Sequence, residues 1–242
     1  MNHTDEASTK IIACATVIEE VLPLLPAGMQ YEVLDFGLHL QPENLHDTLQ
    51  AAIDRASAEA DTIILGYGLC SMAVVGLTPT NATLVVPRVD DCIAIFLGSG
   101  AAYQAQASQE PGTYYLTKGW IEVSDTPFEE YKRLIERYGQ KRADRMMQLM
   151  LKNYTRLAFI DTGQYDQERY RDYARRTANQ FGLRYEEISG SNALLKKMIF
   201  GPWDDDFVVV PPGQTITYAD FKTTATTMCN SPGLPFKSLE AS

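Results

Sequence analysis

Between residues 62 and 100 the chain reads TIILGYGLCSMAVVGLTPTNATLVVPRVDDCIAIFLGSG, and the residues best able to do chemistry stand in two short loops of it. The first loop, Gly66-Tyr67-Gly68-Leu69-Cys70-Ser71, follows an apolar run at 62–65. The second, Pro87-Arg88-Val89-Asp90-Asp91-Cys92, follows another at 83–86. Two further donors precede them, Cys14 in KIIACATV and His39 in Gly37-Leu38-His39. Cys14, His39, Cys70 and Cys92 form a candidate metal set, because thiolate and imidazole are the donors that zinc takes in tetrahedral sites. Three cysteines with an open position would equally suit an iron–sulfur cluster. No C-x-x-C pair is present, so the expectation rests on where the fold places these residues. Asp91 is a candidate general base, a partner to a ligating histidine or a helix cap, and Arg88 a candidate anion-binding group or half of an ion pair. Gly66, Tyr67, Gly68, Gly98 and Ser99 would let backbone approach a bound cofactor, although neither loop makes a dinucleotide or P-loop fingerprint.

Short β-branched runs without polar alternation suit strands buried on both faces of a parallel sheet. Strands are expected at 10–17, 31–36, 62–65 and 83–86, with helices at 18–25 and 42–59 and a helix opening near 93–97 from Asp90 or Asp91. Right-handed crossovers would bring Cys14, His39, Cys70 and the 87–92 loop to one rim. Ligands of open α/β sheets bind beyond such a rim. Further on, a strand is expected at 114–116 and helices at 126–138 and 141–153, the first announced by Thr126, Pro127 and Glu129. Then come a strand at 156–161, a helix at 166–181, a strand at 183–188, a helix at 192–199 and a strand at 207–210. The fold class is therefore α/β, with two parallel-sheet Rossmann-like lobes joined by a helical segment and a cleft at the strand carboxyl ends. The expected division is a disordered lead at 1–9, an N-terminal lobe with the cysteine site at 10–123, bridging helices at 124–154 and a C-terminal lobe at 155–242.

Composition narrows the partners. The chain has 242 residues, 45% hydrophobic and 21% charged, as in an ordinary globular protein. Its net charge of −10 disfavours the nucleic-acid backbone. No apolar run approaches the roughly 20 residues of a membrane span, and MNHTDEASTK is too polar for a secretory signal. A cytoplasmic protein acting on a small molecule, without nucleic-acid or membrane partners and with oligomerisation left open, is expected. Four cysteines in a reducing compartment call for metal binding, catalysis or plain burial. Cys229 near the tail reads as incidental, His46 as a solvated helix residue and Asp204-Asp205-Asp206 as a solvated turn.

The segments IIACATV, Gly37-Leu38-His39, LGYGLCSMAVVGL, VVPRVDDCIAIFLGS, Gly112 to Thr117 and Gly119-Trp120 resemble the uncharacterised DUF1638 family, over roughly residues 10–210. The resemblance implies, by gene context, a link to corrinoid-dependent methyl transfer in anaerobic metabolism, and assigns no chemistry to any residue. The leading expectation is a protein that holds zinc or iron through Cys14, Cys70 and Cys92 with help from His39. The ion would activate a thiol methyl acceptor, with a corrinoid protein or methyltransferase as partner. One alternative is a metal-free enzyme in which Cys70 faces Cys229 in the manner of two-cysteine racemases. Another is a non-catalytic chaperone or adaptor of a corrinoid protein.

Overall fold

The computed structural model describes residues 8–123 and 126–222. The strands are β1 (Thr9–Cys14), β2 (Gln30–Leu34), β3 (Thr62–Gly66), β4 (Thr83–Pro87), β5 (Thr113–Leu116), β6 (Arg156–Asp161), β7 (Arg184–Ser189) and β8 (Phe207–Val210). The helices are α1 (Ala15–Val21), α2 (Pro42–Ala56), α3 (Cys92–Leu97), α4 (Gly100–Gln109), α5 (Lys118–Val123), α6 (Pro127–Tyr138), α7 (Gln140–Met150), α8 (Glu168–Phe181) and α9 (Ala193–Phe200). Two sheets result. The larger runs β2-β1-β3-β4-β8, and the smaller β5-β6-β7.

In the larger sheet β1 pairs in parallel with β2 and β3, and β3 with β4. The runs of β1, β3 and β4 are largely buried, which is why they read as unbroken apolar stretches, whereas β2 at the edge is mostly exposed. Shared direction puts the carboxyl ends of all four at one rim. The chain lays β2 to one side of β1 and β3 to the other, so the order reverses between β1 and β3. A crevice forms outside the strand ends at such a reversal. Cys14 closes β1, and Gly66 closes β3.

The two sheets share a core. Along β6, Ala158 and Ile160 pack with the larger sheet, while Leu157 and Phe159 face Leu116, Phe128, Met147 and Ala174. This is the period-two alternation of a strand between two layers. Trp120 packs against both clusters.

Several expectations shift. Residues 1–7 lie outside those described, but Ser8 and Thr9 belong to the fold: the Ser8 amide donates to Asp61 at 2.8 Å, and Thr9 pairs with Thr62. The first strand stops at Cys14, because the next three residues of the apolar run enter α1. Helix α4 was not expected. None of its residues is buried, so its Ala- and Gln-rich sequence shows helix propensity without an apolar stripe. Sheet membership also departs from a division at 124 and 155. Strand β5 joins β6, and β8 returns to the larger sheet, antiparallel to β4. An antiparallel edge strand on a parallel sheet is common, and a run such as Phe-Val-Val-Val carries no sign of its direction.

Candidate metal centre

Cys14, Cys70 and Cys92 come from three strand ends and are 1%, 8% and 7% exposed. Cys14 ends β1 and its sulfur lies 3.0 Å from the Thr16 hydroxyl. Cys92 opens α3, whose first turn is capped by Asp91 accepting from the Ile93 amide at 2.9 Å. Cys70 sits where the loop after β3 meets the loop after β4. The Leu69 amide donates to Val89 at 2.8 Å and the Cys70 amide to Asp90 at 3.0 Å. Gly68 makes this approach possible, since a Cβ there would stand 2.6 Å from the Val89 carbonyl.

The backbone at this point is unusual. Cys70, Ser71 and Met72 have φ of 43°, 56° and 73°, three successive side-chain-bearing residues in the left-handed region. Each such residue costs roughly 1–2 kcal/mol. Strain of this kind persists where the surroundings over-determine it, often at functional sites. Here the two loop-to-loop hydrogen bonds hold one side. On the other, His46 Nδ1 bonds the Ala73 carbonyl at 3.0 Å, tying α2 to the turn. His46 is thus a half-buried brace, unlike the solvated residue expected.

The sulfurs lie close enough that a charge on Cys14 would act on Cys70 and Cys92, and one on Cys70 on Cys92. Burial pushes every one of these thiols up, and the neighbouring sulfurs and Asp91 push Cys70 and Cys92 further. Tyr67 lies among them. Its ring is 1% exposed, its hydroxyl is buried without a partner, and after burial the strongest influences on it are Cys14, Cys70 and Cys92. His39 stacks on Tyr67 at 5.7 Å between ring centres, with Phe36 on its other side at 5.2 Å. The Phe36 carbonyl, 3.0 Å from His39 Nδ1, can only accept, so Nδ1 carries the proton. Burial lowers the His39 pKa and keeps the ring neutral, leaving Nε2 a bare lone pair, buried and unpartnered.

The other expected site residues separate into roles. Asp91 accepts from the Tyr103 hydroxyl as well as capping α3, and burial raises it to about 6. Arg88 turns away toward β8, its Nη2 donating to the Phe207 carbonyl at 3.0 Å. Gly98 ends α3 at φ 85° and Ser99 caps α4 through a 3.1 Å bond from the Ala102 amide, so both serve helix ends. Gly66 packs against Ala13, where a Cβ would approach to 2.6 Å. Lys197 bonds Asp204 at 2.7 Å and Asp206 at 2.5 Å, making that acidic run a clasped turn. Cys229 lies outside the described residues. Tyr67 is marked by its glycine-flanked loop, but the place of its hydroxyl near the thiols and the Tyr103 partner of Asp91 depend on packing between elements.

Two surface hollows flank this region. One, of about 550 Å³, is bordered by Glu43, His46, Ser71 and Met72 and opens on the outer side of the left-handed turn. The other, about 430 Å³, lies at the ends of β6 and β7. Its carboxylates, Asp161 and Glu187, are both bound by Arg171. Among the described residues, no three His, Cys, Asp or Glu side chains already converge closely enough to hold a metal ion.

A family model described as a protein of unknown function, DUF1638, matches residues 33–199. The match spans His39, Cys70, Asp91 and Cys92 and begins after Cys14. No curated protein and no solved structure matches the chain.

Proposed function

Starting from the fact that the chain belongs to the DUF1638 family, we propose that it is a cytoplasmic metal-binding protein in which Cys14, Cys70 and Cys92, with His39, take a thiophilic ion. Zinc is the first choice and an iron–sulfur cluster the alternative. The observation that carries this is the burial of three thiols within electrostatic reach of one another and of the unpartnered Tyr67 hydroxyl. Such a cluster is costly to ionise, and a soft cation supplies the missing positive charge while displacing the thiol protons. His39 fits the same set, with Nδ1 held by a carbonyl and Nε2 left bare. Bound there, the ion would lower the pKa of an incoming thiol, the chemistry a thiol methyl acceptor requires, in keeping with corrinoid-linked or one-carbon methyl transfer. This chain's own part is to orient the donors: Asp91 fixes the first turn of α3, Gly68 seats Cys70, and Tyr67 offers a hydrogen bond to a sulfur once it is charged. The raised thiols speak against a metal-free cysteine nucleophile, which needs a lowered pKa.

Metal analysis and visible spectra of protein purified without oxygen test the reading. Wild type should carry about one ion per chain, and Cys70→Ala and Cys92→Ala should each lose most of it. Wild type without metal and without cluster absorbance would overturn the proposal.

A further inference from the structure

Helix α1 starts just after Cys14, and near its other end stands Glu20, a carboxylate with 0% exposure. All three of its side-chain partners come from one segment of the other sheet, the loop after β6. Glu20 Oε2 accepts from the Thr162 hydroxyl at 2.6 Å and from Gln164 Nε2 at 3.0 Å, and Oε1 accepts the Tyr165 hydroxyl. Gln164 Nε2 also reaches the Glu20 carbonyl at 2.9 Å. One side chain therefore adds a polar tie between the sheets to the apolar core they share.

The remaining charges around it are largely committed. Lys118 of α5 pairs with Glu19 and with Glu122 at 3.4 Å, and lies 5.1 Å from the Tyr165 ring centre. Glu122 in turn accepts from the Tyr170 hydroxyl at 2.5 Å, beneath the Arg169 guanidinium. The titratable and charged groups facing Glu20 are thus Glu19 on its own helix, Lys118 and Glu122 on α5, Tyr165 in the loop, and Tyr170 and Arg169 on α8. Helices α1 and α5 touch closely, since a Cβ on Gly119 would meet the Thr16 carbonyl at 2.7 Å. Next to Gly119, Trp120 begins a continuous run of rings. It meets Phe36 edge-on at 5.9 Å, Phe36 stacks on His39, and His39 on Tyr67 among the sulfurs.

We propose that Glu20 and the 162–165 segment form a proton-operated latch between the two sheets. Its state sets access to the Cys14, Cys70 and Cys92 centre through α1 and the Trp120-Phe36-His39-Tyr67 stack. This deepens the reading of the thiol centre by naming its regulation, while the latch itself stands whether or not that centre holds a metal. Burial raises Glu20 to about 6, so the buried acid holds its proton below that pH and loses it above. An ionised carboxylate is better solvated by water than by this junction, so loss of the proton favours opening. The latch is tight in mild acid and loosened toward neutral pH.

In a Trp203→Phe background, Trp120 is the sole tryptophan and its emission reports the junction. A transition centred near pH 6 is expected, absent in Glu20→Gln. In Tyr165→Phe and Thr162→Val it should move to higher pH, because each removes a donor to the ionised form. On the same proteins under chelator, the ratio of wild-type to Glu20→Gln thiol alkylation rates should rise from near one at about pH 5 to about tenfold at about pH 8, within the span allowed by the shifted group. Coincident emission curves for wild type and Glu20→Gln would overturn the latch. A flat alkylation ratio would overturn its coupling to the thiols. Should Glu20→Gln fail to fold, an unmoved midpoint in both donor variants would reject the latch. Metal content is read separately, so failure of the latch and failure of the metal reading are distinguishable.

Discussion

Ser71, at φ 56° and ψ 34°, occupies a conformation that glycine adopts freely and serine does not. Ser71→Gly should therefore raise stability by about 0.5–1 kcal/mol in urea titration, the relief of strain exceeding the entropy that glycine adds to the unfolded chain. A loss of stability instead would show that the turn is unstrained. At this scale the sequence disclosed the identity of the donors but not their company. Cys14, Cys70 and Cys92 could be placed at strand ends because apolar runs precede them. The hydroxyl of Tyr67 among the sulfurs, the bare Nε2 of His39 and the brace from His46 depend on side-chain packing across elements, which local pattern does not encode. Arg88 shows the converse: two acids, Asp90 and Asp91, follow within three residues, yet its partner is a carbonyl 119 residues away.

Several strands and helices with their own local signals were legible almost to the residue, although β1 ends and α1 begins three residues before the expected bounds. Thr126, Pro127 and Gly139 bound α6, and β6 and β8 fall where their apolar runs lie. Helix α4 and the direction of β8 were not, since one lacks an apolar face and the other is fixed by its partner. Arg156 illustrates how elements are bound in the smaller sheet. It is 2% exposed, and its guanidinium donates to Thr113 at 2.7 Å, Gln106 at 2.9 Å and Glu186 at 3.0 Å, joining β5, α4 and β7 to β6. Lysine keeps the charge but not the three-way fork. Arg156→Lys should destabilise the protein by about 2 kcal/mol, less than the roughly 3–5 kcal/mol of breaking a buried ion pair, because lysine keeps the charge. Hydrogen exchange should show β5 and β7 amides losing protection before those of β1 and β3; uniform loss would place the damage elsewhere.

Over the whole molecule, an α/β architecture with two parallel sheets could be read from alternating runs, whereas the exchange of β5 and β8 between sheets could not. Glu20 was equally hidden. On a short helix beside Glu19 it looks solvated, and only the packing of one sheet's layer on the other buries it. Its folded pKa of about 6 lies above the ordinary glutamate value of 4.5, so the native state binds the proton more tightly than the unfolded chain. The resulting stability, about 2 kcal/mol, is fully present below pH 4.5 and is lost as pH rises through 6. Urea midpoints measured across this window should fall in wild type more than in Glu20→Gln. Equal slopes would mean that Glu20 titrates normally.

The return of β8 to β4 carries a consequence for synthesis. Residues 84–87 leave the ribosome long before 207–210, the partners that cover the outer margin of β4. Throughout this interval the nascent domain bears a bare hydrogen-bonding margin flanked by valines, the kind of surface on which chains join one another. Translation that stalls between the two segments would yield a product prone to self-association, and β8, the last strand among the described residues, covers the β4 margin with its own short edge.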